Sequence, residues 1–190
     1  MSAKTPTISD PVYTLVEVHE ITCDLDQDIR HLLCSAFPHS ASTFARTRAW
    51  NGSIARWTAM LTDPAGRVLA HVGVVDRRAV LDGAPVQLGG IQNVAVHPNL
   101  QGQRLGAMLM QRISDDLGTL PVDAGLLFCS MNRQKFYERF GWVAMPTPPL
   151  FTDETGKPAI MRPDTLAMWL GTGHPAPSQG QTLNLRGPDW

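Results

Sequence analysis

The sequence predicts one α+β domain built on a mixed sheet, and three observations carry that expectation. Strand-like stretches fill residues 55–98, and a long amphipathic helix, a short apolar strand, a short helix and a last strand follow. Two hairpin signals, "DPAG" at 63–66 and Asp82-Gly83, join the first of those strands to their neighbours. Finally, 190 residues with no internal repeat suit one domain with a sizeable core.

The elements follow in order. Residues 1–10 are polar and expected to be loose, and "VYTLVEVHEI" alternates as a first strand. "DLDQDIRHLLCSAF" places Ile29, Leu32, Leu33 and Phe37 on one helical face, with acidic residues at its start. "SASTFARTRAW" reads as a second short helix capped by Ser40 or Ser42. "ARWTAMLTD", "RVLAHVGVVDRRAVL" and "VQLGGIQNVAVHP" are strands; Gly89-Gly90 in the last marks a bulge or a close backbone approach. "RLGAMLMQRISDDLG" is the clearest helix, with an apolar stripe of Leu105, Met108, Leu109, Ile113 and Leu117 and a stop at Gly118. "AGLLFCS" is a buried strand, "NRQKFYERFGW" a short helix ending at Gly141, and "WVAM" a final strand. The core is thus expected over about 11–146, with 147–190 an irregular Pro- and Gly-rich segment.

Composition excludes several function classes. Sixteen basic residues against seventeen acidic ones give a net charge of −1, which offers no bulk electrostatic surface for nucleic acid. Cys23, Cys34 and Cys129 show no C-x-x-C spacing, so neither a disulfide scaffold nor a zinc site is expected. No stretch reaches the ~20 apolar residues of a membrane span, and the first twenty residues lack a signal-peptide core. The expectation is a cytoplasmic protein without a metal.

The informative segment is "VAVHPNLQGQRLGAML", a strand, a loop and a helix start. A helix N-terminus offers free N–H donors and about half a positive charge, so it attracts phosphate. Backbone amides of residues 101–107 can wrap a pyrophosphate. Arg104, standing where a small residue is expected, is then no defect, provided that its side chain leaves the loop. Read alone, the same pattern is also an exposed turn before an ordinary helix.

With "SMNRQKFYERFGW" some thirty residues on, the pattern V-x-V, Q-x-x-x-x-G-A, Y-x-x-x-G-W resembles the GNAT superfamily of acyl-coenzyme A-dependent N-acyltransferases. The loop of that family is (Gln/Arg)-x-x-Gly-x-(Gly/Ala); Gln101 and Gly106 match its outer positions and Arg104 replaces the inner glycine. The resemblance implies a mixed, mostly antiparallel central sheet flanked by helices. It implies acetyl-CoA as co-substrate, with its pyrophosphate on Gln101, Gly102, Gln103, Arg104, Leu105, Gly106 and Ala107. The pantetheine would pair with the strand of Val94, Ala95 and Val96, and Ser130 would also meet the coenzyme. Tyr137 is implied as the acid that protonates the departing thiolate, and homodimers are common in the superfamily.

Within it, "DLDQDIRHLLCSAF", the strands to His97, "QGQRLGAML", "QKFYERFGW" and the closing "RGPDW" together look like the aminoglycoside 2'-N-acetyltransferases. In that group the carboxy-terminal tail lines the substrate pocket, which makes Asn93, Asp189 and Trp190 candidate substrate contacts. Three differences stand out. The group's base is a glutamate where this chain has Gln92, and an amide orients an ammonium or a water but accepts no proton. "PHSASTFARTRAW" carries no carboxylate to seat a polycation. Asp189 directly precedes Trp190, whereas the group's aspartate lies two residues before its tryptophan. Substitute bases are Asp189 or the Trp190 α-carboxylate if the tail folds inward; His97 reads as a turn residue, and His71 and Cys129 as core.

The leading expectation is an N-acetyltransferase acting on a primary amine of a small molecule, an aminoglycoside or aminosugar among them, with Tyr137 and Gln92 at the reacting centre. The alternatives are a catalytically idle acyl-CoA sensor, motivated by Gln92, and a nodulation-type acyltransferase moving a longer chain. No nucleic-acid or membrane partner is expected.

Overall fold

Strong local signals and their burial explain the sheet strand by strand. The structure, a computed structural model, describes residues 10–153 and 155–190. Of the polar segment expected to be loose, all but Asp10 lies outside the described residues. Strand β1 (Val12–Glu17) pairs antiparallel with β2 (Trp57–Thr62), and β2 with the long β3 (Val68–Leu81). A tight turn carries β3 into β4 (Ala84–Val96); Asp82 and Gly83 both take positive φ, 48° and 85°, as a twist-matched hairpin requires.

Strand β5 (Ala124–Ser130) joins β4 in parallel, and β9 (Thr165–Gly171) follows it antiparallel, with the two-residue β6 (Val143–Ala144) at the edge. The segment after 146, expected to be irregular, instead holds four strands. Besides β9 these are β7 (Leu150–Thr152), β8 (Pro158–Ala159) and β10 (Leu183–Pro188), and β10 pairs with the far end of β3. Proline and glycine in and around them hid the short β7, β8 and β10 from the sequence, because such strands gain stability from the sheet they join and not from their own propensity.

Helix α1 (Cys23–Ala36) is capped by Thr22, whose hydroxyl accepts from the Leu25 amide, and buries Ile29, Leu32 and Leu33. The expected second helix shrinks to one turn, α2 (Ala41–Phe44). Ser40 caps it only in position, without a side-chain hydrogen bond. Helix α3 (Leu105–Leu117) buries Leu105, Leu109, Ile113 and Leu117 as expected, but Met110 takes the buried place assigned to Met108, which is exposed. Helix α4 (Gln134–Glu138) is a single turn and a half.

Alternation along the strands separates the two faces. Ala59, Leu61, Val72 and Leu127 pack with α3 and Trp142 on one face. Met60, Val68 and Ala95 pack under α1 and Phe44 on the other. The same outer face is covered further along by Leu183, Leu185 and Trp190 of the tail, against Leu88 and Leu126. No helix among the described residues is long and apolar enough to cross a membrane.

Candidate active site

The site originates in a misfit between two strands. Parallel pairing of β4 with β5 runs only from Leu88↔Ala124 to Ile91↔Leu127. Beyond it each strand keeps its outer neighbour, β4 as far as Val96↔Ala70 and β5 as far as Ser130↔Thr165. Their inner edges therefore diverge and expose ladder groups, a template for an added extended chain.

The divergence has a local cause. Between Gly73↔Gln92 and His71↔Ala95 strand β4 carries one residue more than β3, and Asn93 takes φ 52°. Such a bulge bends its strand, and asparagine tolerates the left-handed conformation better than most residues. Three bonds fix it. Nδ2 of Asn93 donates to the Arg48 carbonyl (2.8 Å), and the Asn93 backbone carbonyl accepts from Nδ1 of His71 (3.1 Å). On the preceding residue, Oε1 of Gln92 accepts from the Trp50 amide (3.2 Å) while its Nε2 donates to the Ser53 carbonyl (3.0 Å).

His71 is core, as the sequence suggested, but it also holds the bulge. A carbonyl only accepts, so Nδ1 carries the proton and Nε2 is a bare acceptor, buried and without a partner among the described residues. Burial keeps the ring neutral, with its pKa pushed down to about 4.

The expected coenzyme loop lies at the wide end of the split. After Val96 come a 3-10 turn (Pro98–Leu100), Gly102 at φ 84° and Arg104 at φ 63°, then α3. No side chain caps α3 and no acidic residue occupies its first turn, so the amides of Leu105, Gly106 and Ala107 stay open to an anion. Arg104 does leave the loop, its side chain being exposed. The missing glycine nevertheless has a consequence: Arg104 occupies the left-handed region, which glycine adopts freely and other residues adopt at about 1–2 kcal/mol. Val94 faces the split, Ala95 is buried under α1, and Val96 packs toward α3, against Gly106. Gln101 and Gly102 are exposed, and Nε2 of Gln103 is buried without a partner among the described residues.

A cleft of about 560 Å³ passes through the split from one face of the sheet to the other. Gln92, Asn93 and Val94 line one side; Leu127, Phe128, Cys129 and Ser130 line the other, with Tyr137 beside them. Burial, the largest effect, raises Tyr137 to about 12, so the phenol holds its proton at neutral pH. Cys129 is raised to about 11 by the same cause and is an inert thiol. Ser130 sits at the exposed rim, its hydroxyl directed to Asn132 (2.6 Å).

Past the split, the tail folds inward. Trp190 lies across Gly90, where a Cβ would stand 2.3 Å from the indole, so this glycine marks a close approach and the bulge lies elsewhere. The indole N–H donates to the Leu126 carbonyl (3.3 Å). Arg77, whose guanidinium is 5.6 Å from the Trp190 ring centroid, donates to the Pro188 carbonyl (3.2 Å) and to Oγ of Ser53 (3.1 Å). Ser53 donates in turn to the Asp189 carbonyl (2.9 Å), and Nδ2 of Asn51 to the Asp189 carboxylate (2.7 Å).

Gln92 therefore does not present a free amide to the cleft: both ends of it hold the loop that orients Asp189. The sequence reading placed Gln92, Asn93, Val94, Ser130, Tyr137, Asp189 and Trp190, and all seven line the cleft. It missed the turn Trp50–Ser53, although Asn51-Gly52 is a hairpin signal, with φ 45° and 76°. It also missed Arg77 and the wall residues Phe37, Phe44, Phe128 and Phe151, for which no motif exists.

Residues 17–145 match the acetyltransferase (GNAT) domain family. The chain belongs to that family. The GNAT fold is shared with solved structures: ElaA of Escherichia coli is 14% identical with a TM-score of 0.62, over 85% of this chain and 99% of that one. A GNAT family acetyltransferase of Brucella melitensis in complex with acetyl-CoA is 17% identical with a TM-score of 0.55, over 89% of this chain and 93% of its own. YhbS, a GNAT family N-acetyltransferase of Escherichia coli in complex with CoA, is 16% identical with a TM-score of 0.57, over 97% and 93%. Acetyl-CoA as co-substrate is consistent with this family and these neighbours, and the GNAT loop and split strands described above have the chemistry to hold it. The family match ends before β7, β8, β9 and β10, so the inward-folded tail lies outside it.

Proposed function

We propose that this protein is an acetyl-CoA-dependent N-acetyltransferase acting on a primary amine of a small molecule. The observation that carries the proposal is the β4–β5 split, which opens the coenzyme side of the sheet directly onto a cleft containing both Tyr137 and Asp189. The pyrophosphate rests on the amides of Gln101–Ala107, and the pantetheine extends along Val94–Val96 as an added strand. The thioester then reaches the bulge, where backbone N–H groups near Asn93–Ala95 polarise its carbonyl.

The amine arrives as an ammonium and loses one proton to solvent before it attacks. Its nitrogen bonds to the thioester carbon, the C–S bond breaks, and a second N–H proton passes to Asp189 directly or through water. Tyr137 gives its proton to the thiolate. Burial raises both the Cys129 thiol, to about 11, and the phenol, to about 12, so a thiolate leaving in the same apolar surroundings is a ready acceptor for the phenol's proton. Gln92 acts as a positioning residue through the 50–53 turn. The aminoglycoside reading has less support, because Asp189 is the one carboxylate side chain among the described lining residues.

The test is free-thiol release from acetyl-CoA across a panel of primary amines, with acetyl-CoA binding measured by calorimetry. Thiol release with formation of the N-acetyl product supports the proposal. Tight acetyl-CoA binding with no transfer to any amine replaces it with the sensor reading.

A further inference from the structure

Asp189 is a half-buried carboxylate in a predominantly apolar cleft. Asn51 fixes one of its oxygens and Ser53 fixes its backbone, so the group is oriented. Yet among the described residues no Lys, Arg or His lies within ion-pair distance of it. Arg77, which runs beneath the tail, is turned to the Pro188 carbonyl and to Ser53 instead. A carboxylate held this way against apolar walls gains most from a cation that a ligand brings.

The walls say what else that ligand carries. Phe37, Phe44, Trp50, Phe128, Phe151 and Trp190 line the cleft around Asp189, and aromatic faces also favour an ammonium. The one other charged lining side chain among the described residues is Arg162, exposed at the mouth, which repels a second positive group. A volume of about 560 Å³ exceeds what an acetyl group and a simple amine need and fits a drug-sized molecule.

Resting on the acetyltransferase reading, we propose that the acceptor is a primary monoamine with one aromatic or comparably bulky apolar body. Its single ammonium meets Asp189, and its body lies against the aromatic wall. A long acyl chain would fill the same apolar space but would leave Asp189 without a counter-charge, so the acceptor is the better occupant.

The experiment compares kcat/KM with acetyl-CoA for phenethylamine, tryptamine, methylamine, spermidine and kanamycin. Burial of a phenyl-sized body is expected to raise kcat/KM about 100-fold over methylamine. Spermidine and kanamycin are expected to lie at least about tenfold below phenethylamine, each for its unmatched second charge. Equal or faster turnover of either polycation overturns the proposal. So does faster transfer from octanoyl-CoA to methylamine than from acetyl-CoA to phenethylamine.

A binding arm separates this proposal from the activity. CoA-loaded protein is titrated with phenethylamine, spermidine and the neutral 2-phenylethanol, and phenethylamine should bind at least about tenfold more tightly than spermidine. If no amine is acetylated, the acetyltransferase reading fails while this order of affinities still decides the inference. In Asp189→Asn, phenethylamine affinity should fall about tenfold or more with 2-phenylethanol unchanged. An equal loss for both ligands, or no loss for either, overturns the ammonium seat.

Discussion

The two sides of the cleft are built from different materials. On the proposed coenzyme side the groups offered to a ligand are backbone: the open amides at the start of α3, the unpaired inner edge of β4 and the bulge at Asn93. On the proposed acceptor side they are side chains: the aromatic wall, Asp189, and the chain of bonds from Gln92 through the 50–53 turn to the tail. Backbone groups survive a change of side chain, which is why the loop accepts Arg104 and still fits the family pattern. Side-chain walls change with every substitution, and the acceptor side is closed by a tail beyond residue 145, where the family match stops. The backbone half therefore lies within the shared domain, while the side-chain half is completed by a segment outside it.

The sharpest way to break that division is Trp190→Ala. Removal of a buried indole that plugs the space over Gly90 should cost about 3–5 kcal/mol of stability. At a temperature where the variant remains folded, calorimetry should find acetyl-CoA affinity unchanged and acceptor turnover lost. A parallel loss of coenzyme affinity would mean that the two sides are one unit.

Tyr137→Phe bears on the point where the two sides meet. It should lower kcat about 100-fold with little change in acetyl-CoA affinity. Unchanged turnover would remove the phenol from the reaction.

Gln92→Glu restores the carboxylate that the resemblance would place there. The carboxylate still accepts from the Trp50 amide, but it faces the Ser53 carbonyl oxygen with no proton to give, at a cost of about 1–3 kcal/mol in thermal or urea unfolding. Turnover should fall because Asp189 loses its support. A faster enzyme would show that position 92 belongs to the chemistry and not to the scaffold.

The smallest effect belongs to the coenzyme loop. Arg104→Gly relieves a left-handed residue, offset in part by the added freedom of the unfolded chain, so stability should rise by up to about 1 kcal/mol. Coenzyme affinity should stay within about twofold, because the amides and not the arginine face the anion. A large drop would give the Arg104 side chain a direct part in holding acetyl-CoA.

Much of this was legible because it is local. The stripe of Ile29, Leu32 and Leu33, the Asp82-Gly83 turn and the loop before α3 each declare themselves within a dozen residues. At Gly89-Gly90 the sequence left a bulge and a close approach open; the structure gives the close approach, of Trp190 to Gly90, and puts the bulge at Asn93, because a glycine pair does not show what lies above it. The hold of Gln92 on the 50–53 turn was not legible, because its partners, Trp50 and Ser53, are some forty positions away. The tail strands were invisible for the same reason: β10 bonds to β3 and β9 to β5, while β7 and β8 join the sheet through β10.

What the sequence by itself determined is the coenzyme half: strand, loop and helix in immediate succession, so that neighbouring backbone amides converge without help from elsewhere. Only the tertiary structure decided the acceptor half, because Asp189, Asn51, Gln92 and Trp190 become neighbours through strand order and burial. A carboxylate acquires its meaning there from the walls around it, and those walls come from segments that share no local pattern.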